Sequence, residues 1–287
     1  MWFTHRFLRV FCGAPTKNNS PIFFAAHVRF FSSNKTRNGA FYEATAKKGL
    51  LKGKLLTCAG LTSSPDVKKV AEILNKKLPL QPALRIFEVG AGWGRVPEAL
   101  RKYLRRHPSF YYCGVEANMR FYDEACARFQ KDPYIIFKHE DILRYPFAAS
   151  EFYDAFLLLW CMIYEFTPEE RERLMCQLYE RIAPGGCILC DFPPENIEFS
   201  NITSQTGECV SIEMEEGVPP WHGEAVSVEK FTQFAEKTLP GVQVQVHPYL
   251  TDKKIKDQER RLCALWQTAS SAGRIFSATA DVSRCTL

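Results

Sequence analysis

The sequence predicts an α/β protein built on a doubly wound, mostly parallel seven-stranded sheet that ends in an antiparallel C-terminal edge hairpin. Three observations carry this. Five short, largely apolar runs, "ALRIFEV", "FYYCGVE", "YIIFKHED", "YDAFLLL" and "GCILCDF", alternate with helical patterns, as strands do when helices cover both faces of a parallel sheet. The first run passes directly into three glycines spaced by single residues, "GAGWG". Two last runs, "VQVQVHPYL" and "RLCALWQT", flank the charged turn "TDKKIKDQER", the pattern of an antiparallel pair. With 287 residues, 46% apolar and 24% charged, the chain can bury a sizeable core in one domain with appendages.

Taken in order, the chain opens with "MWFTHRFLRVF", which places Phe3, Phe7, Val10 and Phe11 on one helical face. Six basic residues precede the first carboxylate, Glu43. An Arg-bearing, acid-free amphipathic start resembles a mitochondrial transit peptide and is too short and too charged to span a membrane. "VRFFSSN" resembles a matrix-peptidase site cut between Phe31 and Ser32, so residues 1–31 are expected to be removed and the protein to work in the mitochondrial matrix. A basic terminus with no address is the alternative. Cleavage would take four of the 37 basic residues and leave the chain near neutrality against 32 acidic ones, so overall charge gives no argument for nucleic acid. Residues 32–64 form a basic arm with Lys47, Lys48, Lys52 and Lys54, which either tracks phosphates or keeps an unstructured lead soluble.

The domain proper is expected over 65–268. "SPDVKKVAEILNKK" reads as a capped helix with Pro65 in its first turn. "VPEALRKYLRRH", "RFYDEACARFQ", "PEERERLMCQLYERIA" and "SVEKFTQFAEKTL" supply the crossover helices between the strands. Residues 193–226 form a long insertion, of the kind that is functional or disordered, and 269–287 a loose, small and polar tail. Cys187 and Cys190 stand three apart in one strand and therefore point to opposite faces, so they cannot hold one metal; no metal site is expected, and the eleven cysteines read as reduced small hydrophobes.

The glycine loop is where chemistry enters. A strand, then Gly90-x-Gly92-x-Gly94, then a helix lets a ligand lie against bare backbone. A dinucleotide fingerprint needs its last glycine where this chain has Arg95, and no Gly-Lys-Ser/Thr follows, which excludes a Walker loop. Glu116 closes the next strand, 22 residues beyond Gly94, where a carboxylate can accept both hydroxyls of a ribose; the alternative is a solvated strand end. Asp141 ends the third strand, placed to meet an adenine amino group. Glu88, two residues before the first glycine, supplies a negative charge that a pyrophosphate would be repelled by and a cationic group would seek.

Acid-x-Gly-x-Gly-x-Gly, followed by Glu116, Asp141-Ile142 and "LYERIAPGGCIL", resembles a class I S-adenosylmethionine-dependent methyltransferase over roughly residues 65–268. The resemblance implies S-adenosylmethionine as cofactor, Glu88 facing the ammonium end of its methionine moiety, and a cofactor-binding set of Glu88, Gly90, Gly92, Gly94, Glu116, Asp141, Ile142 and Trp160. It also places acceptor contacts after the fourth and fifth strands. The fourth is followed by "LWCMIYEF", which lacks both the Asn/Asp-Pro-Pro-aromatic motif of exocyclic-amine enzymes and the Pro-Cys of cytosine-carbon enzymes; "DFPPEN" echoes the former one strand too late. Trp160 and Tyr164 either wall the transfer pocket or belong to the core. In the insertion, His222 beside Trp221 is a candidate base or a surface histidine without a role. Methyl transfer from a sulfonium needs a base only if the acceptor must lose a proton, so the acceptor, whether small molecule, protein or RNA, is left open. The other class of function the sequence admits is a fold retained as a scaffold of a mitochondrial assembly.

Overall fold

The structure is a computed structural model that describes residues 38–50, 52, 61–80, 82–107, 109–193, 202–206, 209–213, 216–252 and 259–268. The expected transit peptide, Lys54 and the tail lie outside these residues.

The main sheet holds β1 (Leu84–Val89), β2 (Phe110–Glu116), β3 (Ile135–His139), β4 (Tyr153–Leu158), β5 (Ile182–Phe192), β9 (Val242–Leu250) and β10 (Glu259–Gln267), in the order β3-β2-β1-β4-β5-β10-β9. The first five pair in parallel; β10 runs antiparallel to both β5 and β9. The helices are α1 (Gly39–Lys48), α2 (Pro65–Lys77), α3 (Arg95–Tyr103), α4 (Met119–Phe129), α5 (Pro168–Tyr179) and α6 (Val228–Thr238).

Why the strands read as unbroken apolar runs is visible in the two cores. Ile86, Leu157, Leu189 and Ala264 pack with residues of α2, α3 and α4 on one face of the sheet. Their neighbours Phe87, Phe156, Ile188 and Leu265 pack with α5 and α6 on the other. Each fully buried Leu, Ile or Phe contributes about 1.5–3 kcal/mol, so stability resides in both faces of the central strands. Cys187 and Cys190 divide between these two cores, as their spacing requires, and no disulfide joins the cysteines described. No helix among the described residues is long and apolar enough to cross a membrane.

Several local expectations are modified. β3 stops at His139, and Asp141 stands two residues past its end, opening a short 3-10 turn over Ile142–Arg144. Ser64 occupies the cap position of α2 but makes no side-chain cap bond; its backbone is left-handed (φ 57°), while Asp252 accepts from Thr62 and Ser63 just ahead of it. α5, by contrast, has a full capping box between Thr167 and Glu170. The insertion carries a sheet of its own, β6 (Ile202–Thr206), β7 (Cys209–Ile212) and β8 (Trp221–Glu224), all antiparallel.

The basic arm contains α1, closed by Gly49 in the left-handed region. Its sequence "GAFYEATAKK" shows little periodicity because only Gly39, Phe41 and Thr45 are buried. Lys48 donates to the Glu216 carbonyl and Lys52 pairs with Glu124, so both amines already have contacts within the protein.

Candidate functional site

The sheet order reverses direction between β1 and β4, and in open α/β sheets ligands bind outside the carboxyl ends of strands at such a switch point. β1 ends at Val89; Gly90 and Ala91 N–H then donate to Val115 O (2.9 and 3.0 Å), which holds the glycine loop onto the end of β2. Gly90, Gly92 and Gly94 all have positive φ, at 70°, 55° and 80°. Their surroundings differ. A Cβ on Gly90 would lie 2.3 Å from Met162 Sδ, and one on Gly94 would lie 2.7 Å from the Phe129 ring. A Cβ on Gly92 would meet no atom within 4 Å. Two glycines are therefore demanded by packing inside the protein, and the middle one faces open space.

Glu116 reaches back to this loop. One carboxylate oxygen accepts from Gly92 N (2.8 Å) and the other from Asn118 N (2.7 Å). Burial pushes the acid up to about 7 in spite of these bonds. It is not a solvated strand end. Glu88, at the root of the loop, is buried; it accepts from the Tyr112 hydroxyl, and burial raises it to about 8 while Arg95 pulls the other way. Arg95 makes a two-pronged bond to buried Asp66 (2.9 and 2.6 Å), so the residue standing where a third fingerprint glycine would be is an anchor for the loop's exit. Asp141 accepts from Leu143 N (3.0 Å), and Ile142 beside it is buried.

The turn after β4 forms the other wall. Trp160 and Cys161 are both left-handed (φ 56° and 60°), a conformation costing non-glycine residues about 1–3 kcal/mol each and found where the surroundings enforce it. The enforcement is a buried network the sequence did not reveal. Asp191 accepts from Trp160 N (3.1 Å), the Tyr249 hydroxyl (2.6 Å) and Arg260 Nη2 (2.6 Å), and Arg260 also donates to Cys161 Sγ (3.0 Å). Burial raises the Asp191 acid and the Arg260 guanidinium opposes it. The Trp160 ring meets Trp93 edge-on at 6.1 Å, so it looks onto the glycine loop.

Tyr164 lies in the 3-10 turn Met162–Glu165 and turns the other way, donating to Val226 O (3.1 Å) and packing near Phe192. Its burial raises its pKa. The Trp160–Tyr164 pair is thus split between two neighbourhoods. The imidazole of His222 is exposed; what holds this residue is its backbone, paired both ways with the Asn38 amide at 2.7 and 2.8 Å.

Glu165 is the residue sequence reasoning missed. Its carboxylate accepts from Asn38 Nδ2, the Tyr42 hydroxyl and Trp221 Nε1, which brings α1 and β8 onto the end of β4. Burial and Glu165 together push the Tyr42 phenol well up. Tyr42 and Trp160 flank the small cluster of Trp93 and Phe121. Arg171 of α5 fixes the turn from behind, donating to Ile163 O (3.3 Å), Phe166 O (3.2 Å) and Glu224 O (2.9 Å). "CMIYEF" carries no signal that would single out its acid, since Asn38, Tyr42 and Trp221 lie 56 or more residues away.

This set of acceptors suits a ligand with a cationic end and free hydroxyls. Glu116, bonded to Gly92 N, and Glu88, at the root of the loop, are buried acids whose ionised forms favour a cation and disfavour a polyphosphate. Residues 86–186 match the methyltransferase domain family. Among solved structures, the chain is similar to an S-adenosylmethionine-dependent methyltransferase from Methanosarcina mazei (12% identity, TM-score 0.55, covering 68% of this chain and 97% of that one). It is similar to another from Clostridium acetobutylicum (13%, TM-score 0.53, 78% and 99%). A third is the N-methyltransferase NodS from Bradyrhizobium japonicum in complex with S-adenosyl-L-homocysteine (13%, TM-score 0.52, 79% and 98%). Identities this low carry the fold alone. Comparison with curated proteins gives no match.

Proposed function

We infer that this chain, whose residues 86–186 match the methyltransferase domain family, is a class I S-adenosylmethionine-dependent methyltransferase that methylates a small-molecule acceptor in the mitochondrial matrix. Bound S-adenosylmethionine would supply a methyl group on a sulfonium, with the neutral thioether as the leaving group when an acceptor attacks in line. The protein's own work is then positioning and exclusion of water. Gly92 keeps a side-chain position vacant for the cofactor's sugar. Glu116 would accept hydrogen bonds from the ribose hydroxyls, Glu88 would ionise against the ammonium group, and Asp141 with Ile142 would meet the adenine. Trp160, edge-on to Trp93 of the glycine loop, would wall the side from which an acceptor approaches. Neither His222, exposed, nor Tyr164, whose hydroxyl is engaged by Val226 O, is assigned as a base.

The observation that supports a small acceptor is the cover over this site. α1 and β8 meet across Glu165, and Asn38 is 2% exposed at their junction. A protein segment or an RNA strand would have to displace that layer, whereas a small molecule can be enclosed by it. The matrix location rests on the amphipathic, acid-free first 31 residues. The test is labelled-methyl transfer from S-adenosylmethionine into a mitochondrial extract divided into small molecules, protein and RNA. Label is expected in the small-molecule fraction; label in protein or RNA refutes the acceptor class, and binding without any transfer refutes the enzyme in favour of a scaffold.

A further inference from the structure

We propose that Glu165 is the positioning residue of the acceptor wall, a latch that holds α1 and β8 down over the glycine loop; the proposal deepens the small-molecule reading above and rests on it. The latch has a rigid mount. Glu165 ends the Met162–Glu165 turn, in which Met162 fills the space against Gly90 and Arg171 ties down the carbonyls of Ile163 and Phe166. From that mount one carboxylate takes donors from two distant segments, Asn38 and Tyr42 on one side and Trp221 on the other. Asn38 joins the two segments to each other through the His222 backbone.

What the latch holds is lightly attached by other means. α1 fully buries one large side chain, Phe41, where α2 buries Val67, Val70, Ala71, Ile73 and Leu74. Its ion pair Arg120–Glu43 lies at the surface and is worth little. A segment with so little buried apolar area opens at low cost, so hydrogen bonds to a charged acceptor decide whether it stays closed. Its position is also felt at the cofactor cradle, because Tyr42 packs on the cluster of Trp93, the residue between Gly92 and Gly94. With the latch closed, the acceptor side is walled and the loop is backed; with it open, both cofactor and acceptor can pass.

The test follows hydrogen exchange at residues 39–48 and 221–224 in the full chain, together with the rate of S-adenosylmethionine release, for wild type, Glu165→Gln and Glu165→Ala. In Glu165→Ala both segments are expected to exchange about tenfold faster, and in step, with cofactor release faster by about the same factor. Amides of β1 and β4 should keep their protection. Glu165→Gln, which keeps one acceptor oxygen and the side chain's length, should fall between the two and so separate latching from mere filling of space. Unchanged exchange in both segments, acceleration in only one, or faster exchange with unaltered cofactor release would each overturn the proposal. If Glu165→Ala does not fold, Asn38→Ala and Trp221→Phe each remove a single donor and carry the same comparison. A wild-type protein that fails to bind S-adenosylmethionine would overturn the cofactor reading, while the exchange data alone still decide the latch.

Discussion

Replacing Gly92 by alanine separates what the glycine loop does for the fold from what it does for the ligand. In the protein the added methyl meets nothing within 4 Å, so its only structural cost is backbone conformation at φ 55°. A left-handed alanine costs about 1–2 kcal/mol, partly offset by about 0.4–1 kcal/mol from a less mobile unfolded chain. The net loss of about 1 kcal/mol corresponds to a fall in Tm of about 2–4 °C for a domain of this size. Gly94→Ala is the control. It carries the same kind of strain, at φ 80°, and also drives a methyl to 2.7 Å from the Phe129 ring and 3.2 Å from Phe137. Overpacking of that kind adds about 1–3 kcal/mol, so its melting loss should be at least twice that of Gly92→Ala. Calorimetric titration should show the reverse order of interest: Gly92→Ala, nearly as stable as wild type, no longer binds S-adenosylmethionine detectably. Wild-type affinity in Gly92→Ala would refute the assignment of that open space to the cofactor. A melting loss as large as that of Gly94→Ala would refute the packing argument.

Glu88 and Glu116 are raised to about 8 and about 7 in the folded protein, so their stabilising contribution is present at acid pH and is lost as pH rises through those values. The unliganded protein should therefore melt progressively lower between about pH 5 and 8.5, and saturating S-adenosylmethionine, whose positive charge favours the ionised acids, should flatten that decline in a differential scanning series. Glu116→Ala leaves Gly92 N and Asn118 N without their acceptor, so titration should show affinity down by about 1–3 kcal/mol and melting should show a fall as well. Arg260→Ala strands Asp191 as a buried, uncompensated acid, and denaturant unfolding should record a loss of about 3–5 kcal/mol. A fluorescent fusion of residues 1–42 should enter mitochondria, with the mature terminus of the full protein at Ser32 by terminal sequencing; diffuse cytosolic signal with an intact Met1 would contradict the address.

The two halves of the site were unequally legible, and the reason lies in the topology. Gly90, Gly92, Gly94, Glu116 and Asp141 come from the ends of β1, β2 and β3, which are consecutive in the chain and adjacent in the sheet. Parallel strands joined by right-handed crossovers deliver their carboxyl ends to one edge in sequence order, so a spacing pattern read along the chain maps directly onto a surface. The period-2 alternation of Cys187 and Cys190 is legible for the same local reason. The side built on Asp191 and Glu165 has no such order. Asp191 meets Arg260 only because β10 inserts between β5 and β9, a pairing that skips the insertion sheet and α6 entirely. Asn38 meets His222 across 184 residues, one in a basic arm and one in the acid-rich insertion, and neither residue type announces the other. At His222 the contacts are made by its backbone and by the indole beside it, and hydrogen-bonding main chain leaves no mark on residue type. The half built on the glycine loop is thus held to a pattern by the parallel strands, while the half built on Glu165 draws on the arm and the insertion and can vary without disturbing either core.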